Sequence, residues 1–183
     1  MTLLVLGVLL WAGAHFFKRA MPGVREPMGD KGKGIVALLL LLSIVLMTLG
    51  YRSAEVTDTL WSTPSFAKHI NNLAVLIAIF MMSPAPRKGK LLNGVRHPML
   101  IGFALWAGAH LWVNPDMPSV VLFGGLLVWS LLEIVIINRA EGPWEPTEHG
   151  SIAKDGMFLV ASIILVGVIG FIHGLVGPSP FGA

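Results

Sequence analysis

Six stretches of the chain are strongly apolar, and segments rich in proline, glycine and charged residues separate them. A helix needs about 20 apolar residues to cross a bilayer, with a working range of roughly 17 to 25. By that criterion the pattern predicts six transmembrane helices, and residues 1–183 form one all-α, polytopic helix bundle. The predicted helices run over residues 2–18, 34–51, 68–84, 97–114, 118–138 and 156–176.

The basic residues are divided unevenly between the two sides of this predicted bundle. Eleven of the thirteen lysines and arginines fall in the segments 18–34, 85–97 and 138–155, and only Arg52 and Lys68 fall on the other side. Because basic loops stay in the cytoplasm, both termini are expected outside. The expected location is the bacterial inner membrane, with the two termini in the periplasm.

The composition supports a lipid bilayer as the main partner and excludes several other classes. Hydrophobic residues make up 55% of the chain and charged residues 13%, whereas a water-soluble domain averages about 25% charged residues. The basic residues stand between apolar stretches rather than along one face, so no nucleic-acid partner is expected. The absence of cysteine excludes disulfides, thiolate metal sites and iron–sulfur clusters.

One short motif occurs twice inside the apolar sequence. The letters LWAGAH at residues 10–15 return at residues 105–110, and seven of nine positions are identical between 7–15 and 102–110. Each copy ends in a histidine, His15 or His110, which is costly inside a bilayer. Trp11 and Trp106 precede these histidines by four residues and therefore share their helix faces.

The repeated motif has two interpretations. The small residues can pack helices together while each histidine forms a hydrogen bond across an interface. Alternatively, His15 and His110 are a pair of metal ligands, and Gly13 and Gly108 let a flat ligand come close. Two imidazoles without cysteine or an acidic partner in these helices favour haem b over zinc, which needs a third or fourth protein ligand.

The order of the helices places these groups relative to one another. Predicted helices 1 and 4 run in opposite directions, so the two motif copies are inverted and can face a midplane cavity from opposite sides. The short connection at 114–118 predicts an antiparallel hairpin of helices 4 and 5. Counted from that turn, Glu133 should lie at nearly the depth of Arg96 and His97.

Arg96, His97 and Pro98 open the fourth predicted helix, and Glu133 is the one carboxylate well inside an apolar segment. Arg96 and His97 either mark an ordinary helix start or hold a propionate or another anion there, where the helix dipole helps. Glu133 either reaches the cytoplasmic interface or pairs with His97 or Arg96. His69 is a spare candidate ligand near the start of the third helix.

The chain resembles the NnrU family of bacterial membrane proteins. The resemblance rests on the RHP letters at 96–98, Gly102, Trp106, His110, the turn at 114–116 and the first helix ending near His15. Met99 stands where that family often has glutamine, and Pro115 where it often has glycine.

The resemblance implies a role in denitrification, in nitrite or nitric oxide reduction, and partners among the components that assemble the two reductases. It also implies kinship with the plant cis-ζ-carotene isomerase, a haem b enzyme. On that basis His15 and His110 are expected as axial haem ligands with His97 as the substitute, and Arg96, Trp11 and Trp106 as further contacts of the cofactor.

Three function classes therefore remain open. A haem-dependent cis-trans isomerase of a carotenoid-like polyene needs an apolar cleft open to lipid. A haem-binding factor for nitric oxide or nitrite reduction needs a partner surface. A more distant similarity to membrane methyltransferases of the isoprenylcysteine type requires a cytoplasmic nucleotide pocket near Arg96 and Glu133. The acidic-arginine signature of those enzymes is poorly matched by the segment 138–141.

Overall fold

The computed structural model describes residues 1–146 and 148–181, and its regular structure is helical throughout. No strand occurs in that part of the chain, so the all-α prediction is confirmed. A helix of at least 16 residues overlies each of the six predicted segments. The helices are α1 (Thr2–Ala20), α2 (Gly29–Arg52), α3 (Ala67–Met82), α4 (Pro98–Val113), α5 (Met117–Glu141) and α6 (Ile152–Val176).

Four of these helices, α1, α2, α5 and α6, are long and apolar enough to cross a membrane. The other two, α3 and α4, have 16 residues each. At 1.5 Å per residue they measure about 24 Å, less than the roughly 30 Å hydrocarbon core. The structure therefore supports a membrane protein, while six spans and periplasmic termini stay predictions.

The boundaries of α2 and α6 differ from those predicted, because charged residues belong to the first turns of both helices. α2 begins at Gly29 rather than 34, with Asp30 in its first turn and an ion pair of 2.8 Å between Asp30 and Lys33. α6 begins at Ile152 rather than 156, where the Ser151 side chain accepts a hydrogen bond from the backbone of Lys154. An ion pair in the first turn of α2 and a serine cap on α6 therefore accompany the extra residues by which these helices extend beyond their apolar cores.

The helices pack as two antiparallel pairs, α1 with α2 and α3 with α4, and α5 contacts both α4 and α1. The first glycine of each motif copy lies at a close helix contact. A Cβ on Gly7 would stand 2.7 Å from the backbone nitrogen of Met47, and one on Gly102 would stand 2.8 Å from the carbonyl oxygen of Ala78. α6 packs against α3.

The α4–α5 hairpin is present, and its register differs from the prediction. The ring of His97 is joined to the side chain of Asn138, with 2.8 Å between Nε2 and Oδ1. Glu133 precedes Asn138 by five residues on α5, so it lies about 7 Å deeper than His97 rather than level with it. The turn between α4 and α5 is therefore centred later in the chain than the sequence predicts. Near its start, α5 contains a π-helical turn, Val120–Gly124, which adds extra backbone to the helix.

Candidate functional site

His15 and His110 have the same local geometry at the ends of the two motif copies. In each, the ring nitrogen Nδ1 lies 2.9 Å from the backbone carbonyl oxygen four residues earlier, that of Trp11 or Trp106. A carbonyl oxygen only accepts, so Nδ1 carries the proton and the lone pair is on Nε2. This is the tautomer in which an imidazole binds a metal with its second nitrogen held by the protein.

The His15 ring is packed between two indole rings. Trp11 on α1 and Trp129 on α5 each lie 4.5 Å from it between ring centroids. Trp129 is buried, and it also meets Trp11 edge-on at 5.3 Å. The neighbourhood of His15 is therefore formed jointly by α1 and α5.

The His110 ring lies against Trp106 at 5.1 Å and against Phe123 at 5.0 Å between centroids. Phe123 belongs to the π-helical turn at the start of α5. Such turns are rare and frequently occur at functional sites. The turn brings Phe123 against both the histidine and the tryptophan of the second motif copy, since Phe123 and Trp106 are 5.4 Å apart.

The ring of Phe103 joins the two histidine neighbourhoods. It lies 5.2 Å from Trp129 on one side and 5.2 Å from Trp106 on the other. We call the continuous set of rings that results the aromatic cluster: Trp11, Phe103, Trp106, Phe123 and Trp129, with His15 and His110 at its ends.

The two imidazoles stand at opposite ends of the aromatic cluster and do not face one another across an open space. His15 and Phe103 both contact Trp129, and His110 is seven residues beyond Phe103 on α4, about 10 Å along the helix. Metal–imidazole bonds of about 2 Å would bring the two nitrogens to about 4 Å. The aromatic cluster fills the space between, so the predicted axial pair would require its rings to move.

Gly13 and Gly108 are not covered by any described residue. A Cβ added at either glycine would meet nothing within 4 Å. Each lies two residues before its histidine, about 200° around the helix, so its open side points away from the imidazole. Neither glycine therefore lies at a close helix contact among the described residues, and the approach of a flat ligand to these positions stays a prediction.

Glu133 pairs with Arg19, not with His97 or Arg96. The Arg19 guanidinium donates a hydrogen bond of 3.0 Å to the Oε1 atom of Glu133, whose residue is only 5% exposed. The proposed partners have other contacts: Arg96 donates to the Gly142 carbonyl oxygen at 2.8 Å, and His97 is joined to Asn138. Glu133 is buried within the protein beside the last turn of α1, and its position relative to the membrane interface stays a prediction.

Several buried polar atoms around His15 have no hydrogen-bond partner within the described residues. They are the indole nitrogens of Trp11 and Trp129 and the second carboxylate oxygen of Glu133. Glu133 follows Trp129 by one helical turn, and Arg19 follows His15 by one turn, so these groups share one end of the aromatic cluster. Unpaired buried polar groups are costly, and this concentration indicates a place where a polar ligand or water can bind.

Sequence reasoning missed Arg19, Trp129 and Phe103. Trp129 precedes Glu133 by four residues, the same spacing that joins each tryptophan to its histidine, so that signal was available. Arg19 and Phe103 gave none, because their contacts join different helices. His69 lies exposed near the start of α3 and outside the aromatic cluster, and the described residues hold no group of three metal-ligating His, Asp or Glu.

A protein-family model described as NnrU protein matches residues 3–180 of the chain. The chain belongs to the NnrU family. The range covered by the NnrU match includes both motif copies, the helix start at Arg96 and Glu133, so every residue of the aromatic cluster lies within it. No curated protein and no solved structure matches the chain.

Proposed function

We propose that this NnrU-family membrane protein binds haem b, with the Nε2 atom of His15 as the iron ligand. The observation that carries the proposal is the Nδ1 hydrogen bond to the backbone, which leaves Nε2 as the coordinating atom in a region rich in aromatic rings. His110 has the same bond and is the second candidate ligand. His15 ranks first because unpaired buried polar atoms surround it.

An iron held by one imidazole keeps a coordination position open, which suits redox chemistry on a small ligand such as nitric oxide. That ligand class agrees with the link between the NnrU family and nitrite or nitric oxide reduction. In this proposal the indole N–H groups of Trp11 and Trp129 supply donors near the site. The Arg19–Glu133 pair fixes the end of α1 against α5, which holds the His15 ring in position.

The test is the visible spectrum of the protein purified in mild detergent, oxidised and then reduced with dithionite, with haem measured per chain. We expect a high-spin spectrum that changes when nitric oxide is added. His15→Ala should lose most of the haem, and added imidazole should restore it. His69→Ala is the matched control, because His69 is exposed and lies outside the aromatic cluster.

Each remaining outcome has a distinct meaning. Haem retained in full by both His15→Ala and His110→Ala would overturn the proposal. A low-spin spectrum that both variants abolish would support haem but replace the single ligand by the shared pair, with the aromatic rings displaced on binding. A colourless protein that stays colourless with added hemin would overturn haem binding altogether.

An apolar groove between α3 and α4 favours one alternative, a haem-dependent isomerase of a long polyene. The groove has a volume of about 310 Å³ and includes Gly108, Ala109 and Trp112 on one wall and Ile70 and Asn71 on the other. It opens on the helix that carries His110. Extraction of the purified protein with organic solvent should recover a coloured polyene if this alternative holds, and Ala109→Trp should remove it.

A further inference from the structure

A cavity lies near the N-terminal end of α4, outside the aromatic cluster. Its volume is about 760 Å³. Arg87, Lys88 and Arg96 are among its lining residues, and we call them the basic wall. The apolar side chains of Met82 and Met99 also line it, and we call them the apolar wall. A cavity lined by both cations and apolar groups suits an amphiphile with an anionic head.

The charge of this cavity is positive, since no aspartate or glutamate is among the described residues that line it. Arg87 and Lys88 are exposed and have no ion pair within the described residues. Arg96 is oriented by the Gly142 carbonyl oxygen, and its guanidinium is 3.8 Å from Glu141. Two of the three cations are therefore available for an anion.

The basic wall is held in place by the first turn of α6 and the residue before it, and Asp155 in that turn is the main anchor. This side chain is only 2% exposed, and one of its oxygens accepts hydrogen bonds from the backbone nitrogens of Lys90 at 2.6 Å and Leu91 at 3.1 Å. The backbone nitrogen of Ser151 donates to the Lys88 carbonyl oxygen at 3.3 Å. Because these hydrogen bonds fix the backbone, the cavity is preformed, and a ligand that binds there orders few residues.

Gly150 allows this close approach of the two loops. Its φ of 77° lies in the left-handed region, and a Cβ there would collide with the carbonyl oxygens of Lys88 and Gly89. Position 150 therefore needs glycine for two reasons: the left-handed backbone conformation, and the lack of a side chain where the two loops meet. The wall that carries Arg87 and Lys88 is thus built by a specific local arrangement.

From this cavity we infer a binding site for the phosphate headgroup of an anionic phospholipid, with the acyl chain leaving along the apolar wall. Arg87 and Lys88 supply charge-assisted hydrogen bonds to the phosphate, and Met82 and Met99 contact the start of the chain. The cavity lies at the end of the bundle that is predicted to be cytoplasmic. Basic pockets beside membrane helices on that side are suited to anionic lipid headgroups.

The test is native mass spectrometry of the delipidated full chain, titrated with phosphatidylglycerol and, separately, with phosphatidylcholine. We expect stable adducts with phosphatidylglycerol alone. The double variant Arg87→Gln, Lys88→Gln should weaken that binding by at least about tenfold. Met99→Trp, which fills the cavity without changing charge, should weaken it as well.

The matched control is the double variant Lys18→Gln, Lys31→Gln, which removes the same charge from exposed lysines outside the cavity at the end predicted to be cytoplasmic. Equal weakening by this control would show general attraction to the basic surface and overturn the site. Equal binding of phosphatidylcholine, or tighter binding of inorganic phosphate than of the lipid, would overturn the anionic lipid as ligand. Haem content of each variant is expected to stay unchanged, which separates this test from that of the proposed function.

Discussion

Arg19 and Glu133 form a hydrogen-bonded ion pair of 3.0 Å that joins the end of α1 to the inner part of α5. The guanidinium also reaches Glu141 at 3.5 Å, and the other oxygen of Glu141 lies 3.8 Å from Arg96. Charges therefore alternate along Glu133, Arg19, Glu141 and Arg96. This row of alternating charges connects α1, α5 and the residues just before α4. The aromatic cluster also joins α1, α4 and α5.

Removing Arg19 is expected to destabilise the protein more than removing Glu133. Arg19→Gln leaves a carboxylate that is 5% exposed without its partner, and breaking a buried pair in this way costs about 3–5 kcal/mol. Because the Arg19 side chain is 29% exposed, we expect the lower part of that range. Thermal unfolding in detergent should show a fall in Tm of roughly 5–10 °C.

The double variant Arg19→Gln, Glu133→Gln tests whether the effect comes from the unpaired charge. It should unfold at a higher temperature than Arg19→Gln alone, because no buried charge is left. Lys33→Gln is the control, since its pair with Asp30 is fully on the surface and contributes about 0–1 kcal/mol. A double variant no more stable than Arg19→Gln would show that the arginine acts through packing.

The helices and the inverted motif could be predicted from the sequence, because apolar length and i,i+4 spacing are properties of a single segment. The partner of Glu133 could not. Its pairing with Arg19 depends on how α1 packs against α5, and that register follows from contacts such as Val8 against Gly125. The π-helical turn in α5 likewise leaves no periodic signal, yet it shifts the depth of every later residue in that helix.

The contacts of Asp155 with the loop at Lys90 and Leu91 could not be predicted for a related reason. Asp155 lies one residue before the predicted start of the sixth helix and looks like an ordinary charged residue at a helix end. Its function depends on the backbone of Lys90 and Leu91, which is more than 60 residues away in the chain. No local pattern can show a carboxylate whose partners are backbone nitrogens of a distant loop.

Asp155→Asn is expected to loosen the wall of the large cavity without unfolding the helices. An amide has one acceptor oxygen and is uncharged, so the two charge-assisted hydrogen bonds from Lys90 and Leu91 weaken. Limited digestion with trypsin should then cut after Arg87 or Lys88 at least several times faster than in the unchanged protein. Glu145→Gln, an exposed change in the loop before α6, should leave the rate unaltered. Equal rates for the two variants would contradict the anchoring role.

The two glycines of the second motif copy should respond oppositely to alanine. A Cβ at Gly102 would stand 2.8 Å from the Ala78 carbonyl oxygen, so Gly102→Ala must push α3 from α4 at a cost of about 1–3 kcal/mol. Gly108 has nothing within 4 Å, so Gly108→Ala should be neutral or stabilise the helix by up to about 1 kcal/mol. Thermal unfolding compares the two, and Gly7→Ala with Gly13→Ala repeats the comparison in α1. Similar losses at Gly102 and Gly108 would show that an unseen partner or ligand covers Gly108, since no described side chain does.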